Sequence, residues 1–287
     1  MNMTQQSGPD QQTLQCMEIW GGVEPVERTV STPGLDLWVF SQPYGGDEQG
    51  GDVYYVTLCG GGIITRIVVA DVSGHGASVA EFSLSLRTML RKNINQKSQT
   101  RLVERLNRQF GEMAEMARFA TALVITYLAS TDRLSVCNAG HPRPLFYRAV
   151  EGKWVLLSPA ADDRDDGGNL PLGLDERTRY QTFDVTLGPD DLAIFYTDAL
   201  IEAADSTGKL LGESGLLAAA RALDLTTSSP GAIGSALLSA VSQYREAAVA
   251  DDDVTLIVLH HNASGTPRLS VAQKVNVYAK VFGLKSV

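Results

Sequence analysis

The 287-residue chain is predicted to be an α/β protein of the α+β kind built on antiparallel sheets, on three observations. Short β-branched or aromatic runs recur along it, bounded by Gly, Pro, Asn or Asp. Several neighbouring runs are joined by links as short as "ASTDR" and "VEG", which suit hairpins and cannot accommodate the crossovers of a parallel sheet. Amphipathic helical stretches interrupt the series in two places.

Taken in order, residues 1–33 are expected to form a polar N-terminal leader, Gln-rich over its first fifteen residues. Residues 34–262 carry the strand runs "LDLWVFSQP", "VYYVTLC", "ITRIVVADV", "TALVITYLA", "RLSVCNAG", "PLFYRAV", "KWVLLS", "YQTFDVTL", "LAIFYTD" and "VTLIVLHH" and are expected to make one domain. Between the third and fourth runs, Val79, Phe82, Leu86, Met89 and Leu90 share one helical face, as do Leu102, Leu106, Phe110 and Met113. Two further helices are expected near 212–224 and 230–248, with Pro230 suited to a helix start. These Met and Phe stripes read as core faces. The acidic, Gly-rich segment 160–170 reads as a solvated loop. Residues 263–287 read as an amphipathic helical extension whose Val271, Val275, Tyr278 and Phe282 could dock on the body or on a second copy in a homodimer.

Composition narrows the function. A hydrophobic share of 44% supports a sizeable core, while a net charge of −9 disfavours nucleic acid as a partner, because phosphate backbones call for a basic face. The N-terminus lacks the basic start and apolar core of a secretory signal, and no run of about 18 apolar residues suggests a membrane span. Cys16, Cys59 and Cys137 have no metal-ligand spacing and no disulfide pattern; Cys59 and Cys137 read as small core hydrophobes. A cytoplasmic location is the expectation.

The acids are the informative residues. Asp71 and Asp198 end the apolar runs "IVVA" and "LAIFYT", and Asp52 and Asp252 precede "VYYVTL" and "DVTLIVL". Any one of them, taken alone, reads first as a turn residue punctuating a strand. Carboxylates at the tips of core strands are nevertheless costly unless hydrogen-bonded or neutralised by a cation. An all-oxygen set without a His/Cys cluster suits a hard divalent ion, Mg²⁺ or Mn²⁺, provided the tips converge. Gly-Gly-Asp occurs twice in "PYGGDEQGGDVYYV", at Gly45–Asp47 and Gly50–Asp52. The first could suggest the GG(D/E)EF signature of cyclic-dinucleotide synthases, but Gln49 stands where the signature phenylalanine belongs.

The ordered set "GGDVYYV", "ADVSGHG", "FATALVITYL", "NAGHPRPLFY", "LPLGL", "LAIFYTDALIEAAD" and "DDDVTLIVL" resembles the bacterial PP2C-type phosphatases of the stage II sporulation E / RsbU class, over about residues 35–261. The resemblance implies a four-layer α-β-β-α sandwich with two central antiparallel sheets. It also implies a metal-dependent serine/threonine protein phosphatase that uses a water activated by two Mn²⁺ or Mg²⁺ ions. Asp71 would bridge both ions, with the Val72 carbonyl on one of them. Asp198 and Asp252 would hold the other, and Asp52 would bind directly or through water. Asp252 is preferred to Asp253 because it stands three residues before Thr255, as in the family's D-x-x-T. Asp47 becomes a loop acid. The expected partner is a phosphorylated protein, with a small anti-sigma-factor antagonist as the expected class.

Two departures matter. The family's "TDG" is Thr197-Asp198-Ala199 here, which would cost about 1 kcal/mol or more if that backbone needs a positive φ. Ala199 is the only sequence support for an alternative, a catalytically weak module that binds a phosphoprotein without turnover. Ser73 stands where eukaryotic relatives carry a histidine, so His75 and His141 are read as packing residues, and His260 and His261 as surface ones. No general acid and no phosphate-gripping residue is assigned.

Overall fold

In β4 (Asp52–Cys59) successive side chains point to opposite faces, and both faces are covered. Val53 and Tyr55 pack beneath helices, while Tyr54 and Val56 enter the interface with a second sheet. The same division holds in β5 (Ile64–Val72) and β6 (Ala120–Leu128), with Val68 and Val124 on the helix side and Val69 and Leu123 between the sheets. Strands buried on both faces read as near-continuous apolar runs, which is why these stood out in the sequence.

The computed structural model describes residues 17–60, 62–74, 77–113, 118–159, 169–225, 229–245, 250 and 252–265. One sheet runs β1 (Met17–Gly22), β4, β5, β6, β7 (Arg133–Ala139) and β10 (Phe183–Thr186). The other runs β2 (Val26–Thr32), β3 (Leu35–Gln42), β12 (Val254–His261), β11 (Leu192–Tyr196), β8 (Leu145–Arg148) and β9 (Lys153–Leu156). All the strand ladders are antiparallel. Helices α1 (Ala77–Asn93) and α2 (Gln99–Met113) cover the first sheet through Leu86, Leu90, Leu102, Leu106 and Phe110. Helices α3 (Gly212–Arg221) and α4 (Pro230–Arg245) cover the second through Leu216, Ile233, Leu237 and Val241. The result is the expected α-β-β-α sandwich, with three apolar layers between its four structural ones.

Two expectations are corrected. Residues 17–32, assigned to the leader, form β1 and β2, which pair with β4 and β3. Each is an edge strand with only one ladder, and β2 ("VERTVST") is largely exposed, so neither carries the apolar signal of a core strand. Cys59 ends β4 half-buried and is disulfide-bonded, whereas Cys137 is free and buried as expected. A cysteine at a strand end is accessible to a bond that chain spacing does not reveal. Residues 160–168, His75 and most of the C-terminal extension lie outside the described residues. Among those described, no helix is long and apolar enough to cross a membrane.

Candidate metal centre

Antiparallel register brings the acids to one edge. Asp52 opens β4 and is the direct cross-strand partner of Asp71 near the end of β5. In the facing sheet β11 and β12 pair from Leu192–His260 to Tyr196–Leu256, so Asp198, just after β11, and Asp252, just before β12, share one end. The side chains sense one another. Burial, then Asp198, Asp252, Asp253 and Glu202, push Asp71 up to about 8. Burial, then Glu202 and Asp252, push Asp198 up to about 6, opposed by its own backbone N–H and that of Ala199. Burial and Asp71 hold Asp52 well above the usual carboxylate range. Like charges gathered in a low-dielectric edge disfavour ionisation of each, as these directions record.

The edge is braced by hydroxyls. Thr197 Oγ1 donates to Asp52 Oδ2 at 2.8 Å and accepts from the Thr255 backbone N–H at 3.0 Å. Thr255 Oγ1 meets Ser41 Oγ at 2.9 Å, which extends the link to β3. Thr121, the partner of Asp71 on β6, shares a 2.8 Å hydrogen bond with His141 Nδ1. His141 is buried, which pulls it down to about 3 against the opposing Tyr196 backbone, so its imidazole is neutral and its role is packing and bracing.

Asp253, the runner-up to Asp252, has a different task. Its buried carboxylate accepts from Tyr44 N at 2.6 Å and Gly51 N at 2.5 Å. A Cβ on Gly50 would come within 2.6 Å of that carboxylate, so the second Gly-Gly pair lets the chain pass over it. The first pair is a turn: Gly45 and Gly46 have φ of +63° and +81° in open space, and Asp47 beside them is exposed. Asp252 accepts the neighbouring Asp253 N–H through Oδ1, at 2.8 Å, and bears electrostatically on Asp71 and Asp198. The Val72 backbone N–H bonds Gly51 O at 3.3 Å, which ties the Val72 peptide to the same turn. Sequence reasoning used Thr255 only as a ruler and did not foresee Thr197, Asp253 as an anchor, or Glu202.

Ala199 lies in the single 3₁₀ turn Asp198–Leu200, and its φ is not positive. The doubt attached to the missing glycine therefore lapses: alanine fits this backbone without strain. Arg245 Nη2, from the end of α4, donates to Ala199 O at 3.1 Å and steadies the turn.

The donor set is carboxylate and carbonyl oxygen, the chemistry of Mg²⁺ and Mn²⁺. Among the described residues, no three His, Cys, Asp or Glu side chains already close around one point as an ion cage. The acids share an edge and repel. In chemistry they fit a divalent cation that would relieve this repulsion.

Comparison with known proteins agrees with this architecture. The chain is 26% identical over 145 residues to the phosphoserine phosphatase RsbP of Bacillus subtilis (strain 168), a match covering 49% of this chain and 34% of that protein. The chain thus spans about a third of that relative's length. The RsbU and RsbW domains of Rv1364c from Mycobacterium tuberculosis superpose with a TM-score of 0.67 at 24% identity, covering 91% of this chain and 70% of that one. The catalytic domain of the serine/threonine protein phosphatase PstP, in complex with two manganese ions, superposes with a TM-score of 0.53 at 14% identity, covering 79% and 97%. Residues 64–262, from the start of β5 to just past β12, match the family described as Stage II sporulation protein E (SpoIIE). With eight of the twelve described strands, all four described helices and three of the four edge acids inside that match, the chain belongs to the SpoIIE family.

Proposed function

We propose that the protein is a metal-dependent phosphatase that hydrolyses phosphoserine or phosphothreonine on a protein. The observation that carries this reading is the meeting of Asp52, Asp71, Asp198 and Asp252 at one sandwich edge, with burial and mutual repulsion raising Asp52, Asp71 and Asp198. Asp71, the Val72 carbonyl, Asp198 and Asp252 would hold two Mn²⁺ or Mg²⁺ ions, with Asp52 as a direct or water-linked ligand. Bound there, the ions supply an acidified water and neutralise charge on the phosphoryl oxygens. The chain's own part is positioning. Thr197 fixes Asp52 and, with Thr255, ties the tips of β11 and β12 together. Asp253 clamps the turn that presents Asp52, and Arg245 steadies the turn that presents Asp198. Cys137 is buried and pushed up to about 12, so it is unsuited to act as a thiolate nucleophile, in keeping with direct attack by water.

By kinship with RsbP and the RsbU domain, the substrate class we favour is a small phosphorylated anti-sigma-factor antagonist in a partner-switching pathway, and the location we favour is the cytoplasm. The alternative of a catalytically weak module that binds a phosphoprotein loses its one sequence argument, since Ala199 is unstrained. Hydrolysis of p-nitrophenyl phosphate and of phosphoserine peptides, with and without Mn²⁺, tests the reading. Turnover that needs Mn²⁺ and vanishes in Asp71→Asn supports it; tight phosphopeptide binding without turnover would favour the module.

A further inference from the structure

Two rows of polar side chains face each other at the acid edge. In the first sheet Asp52, Asp71 and Thr121 are direct cross-strand partners on β4, β5 and β6. Their strand neighbours Val53, Ala70, Val72, Ala120 and Ala122 lie in the helix-covered layer, so all three point toward the second sheet. In the second sheet Ser41 and Thr255 are partners on β3 and β12, and Thr197 directly follows β11. Side chains of cross-strand partners stand about 5 Å apart, so Asp71 is bounded by Asp52 on one side and by Thr121 on the other.

Both neighbours of Asp71 are clasped from across the gap. Asp52 accepts the Thr197 hydroxyl at 2.8 Å. Thr121 Oγ1 shares its 2.8 Å hydrogen bond with His141 Nδ1. His141 stands in the connection 140–144 between β7 and β8, where the chain leaves the first sheet for the second. That connection is pinned to both. Asn138 of β7 accepts from His141 N at 2.7 Å and donates to His141 O at 2.8 Å. From the other sheet Tyr196, the last residue of β11 and two before Asp198, donates its hydroxyl to Arg143 O at 2.7 Å. The imidazole is 5% exposed. The Tyr196 backbone favours a proton on it, yet Nε2 makes no hydrogen bond of full geometry among the described residues. An apolar side chain would avoid the cost of that buried nitrogen, so what the imidazole adds at this place is its bond to Thr121.

Resting on the phosphatase reading, we propose that His141 is a positioning residue of the metal centre. Through Thr121 it holds the Asp52–Asp71–Thr121 row against the facing sheet, and so sets the gap across which Asp71 meets Asp198 and Asp252. Ligand oxygens for Mg²⁺ or Mn²⁺ must come from both sheets at closely defined distances, so the spacing of the two sheet tips governs affinity.

The test uses the full chain. It measures Mn²⁺ affinity by calorimetry, metal-free melting and Mn²⁺-dependent hydrolysis of p-nitrophenyl phosphate in wild type, His141→Leu, Thr121→Val, Thr121→Ser and the double variant His141→Leu/Thr121→Val. His141→Leu and Thr121→Val should each weaken Mn²⁺ binding by about tenfold. The double variant should lose about as much as either single one, because both cut the same link. Thr121→Ser keeps the hydroxyl and should bind Mn²⁺ within about twofold of wild type. Wild-type affinity in His141→Leu and Thr121→Val would overturn the assignment, even if their melting temperatures fall, since that is the mark of a purely structural role. Equal losses in Thr121→Ser and Thr121→Val would overturn it too. If His141→Leu does not fold, Thr121→Val against Thr121→Ser decides. A wild-type protein that binds no Mn²⁺ refutes the metal centre and this role with it. One that binds Mn²⁺ without turnover sinks only the phosphatase reading, and the affinities still judge His141.

Discussion

Strands β11 and β12 have an aspartate near each end of their shared ladder, and the two ends treat it differently. At one end Asp191, just before β11, is 1% exposed and fully partnered. It accepts from Arg148 Nη1 at 2.6 Å, Ala149 N at 2.8 Å and Gly188 N at 2.8 Å. Nearby, Asp132 accepts from Tyr127 at 2.7 Å and meets His261 Nε2 at 3.0 Å. At the other end Asp198 and Asp252 face Asp71 and Asp52 across the two sheets, and none of Asp52, Asp71 and Asp198 forms an ion pair among the described residues. Burial at the first end serves folding, because the compensating cation comes from the chain. Burial at the second costs stability, a cost that a cation from outside would relieve.

The largest effect that could break this contrast is on turnover. Asp71→Asn should lower Mn²⁺-dependent hydrolysis by about a hundredfold or more while leaving the metal-free protein at least as stable, because the amide stays neutral at this crowded edge without having to take up a proton. Asp191→Asn should do the reverse. Removing one partner of a buried pair is expected to cost about 3 kcal/mol, read as a lower denaturant midpoint, with kcat of the folded fraction kept. If both variants behaved alike, the two ends would not differ as argued.

Metal should act at one end only. Mn²⁺ at about 100 times its Kd should stabilise the wild type by about 2.7 kcal/mol, seen as a raised Tm reversed by chelator, and Asp71→Asn should lose that gain. The pH dependence sharpens the point. Asp71 and Asp198 hold protons more tightly folded than unfolded, so their contribution is fully present below about pH 4 and is lost as pH rises through about 6 and then about 8. The metal-free Tm should therefore fall over that window, with a flatter profile in Asp71→Asn. The smallest effect concerns Ala199. Because its φ is not positive, Ala199→Gly should cost about 0.5–1 kcal/mol and leave Mn²⁺ affinity, read by calorimetry, unchanged.

Much of this was legible before the fold. Strands such as β4, β5, β6 and β12 announce themselves because both faces are buried, and their terminal acids stand out against that apolar background. β1 and β2 were missed because an edge strand borrows its order from its one neighbour, and β2 is largely exposed as well. The disulfide at Cys59 escaped for a related reason, since a cross-link is a fact of proximity and the cysteines are distant in the chain. Asp252 and Asp253, adjacent and chemically identical, were separated in sequence only by a family spacing. In the fold the difference is plain: Asp253 is tied to the Tyr44 and Gly51 N–H groups, and Asp252 bears on Asp71 and Asp198.

By itself the sequence determined the elements and where the acids stand on them, because alternation, apolar runs and Gly-rich turns are local properties of the chain. Tertiary structure decided which acids confront one another, which is consumed as an anchor, and whether Ala199 is strained. Those outcomes depend on register between strands far apart in sequence and on the low-dielectric edge that two packed sheets create, and neither exists until the sandwich has closed.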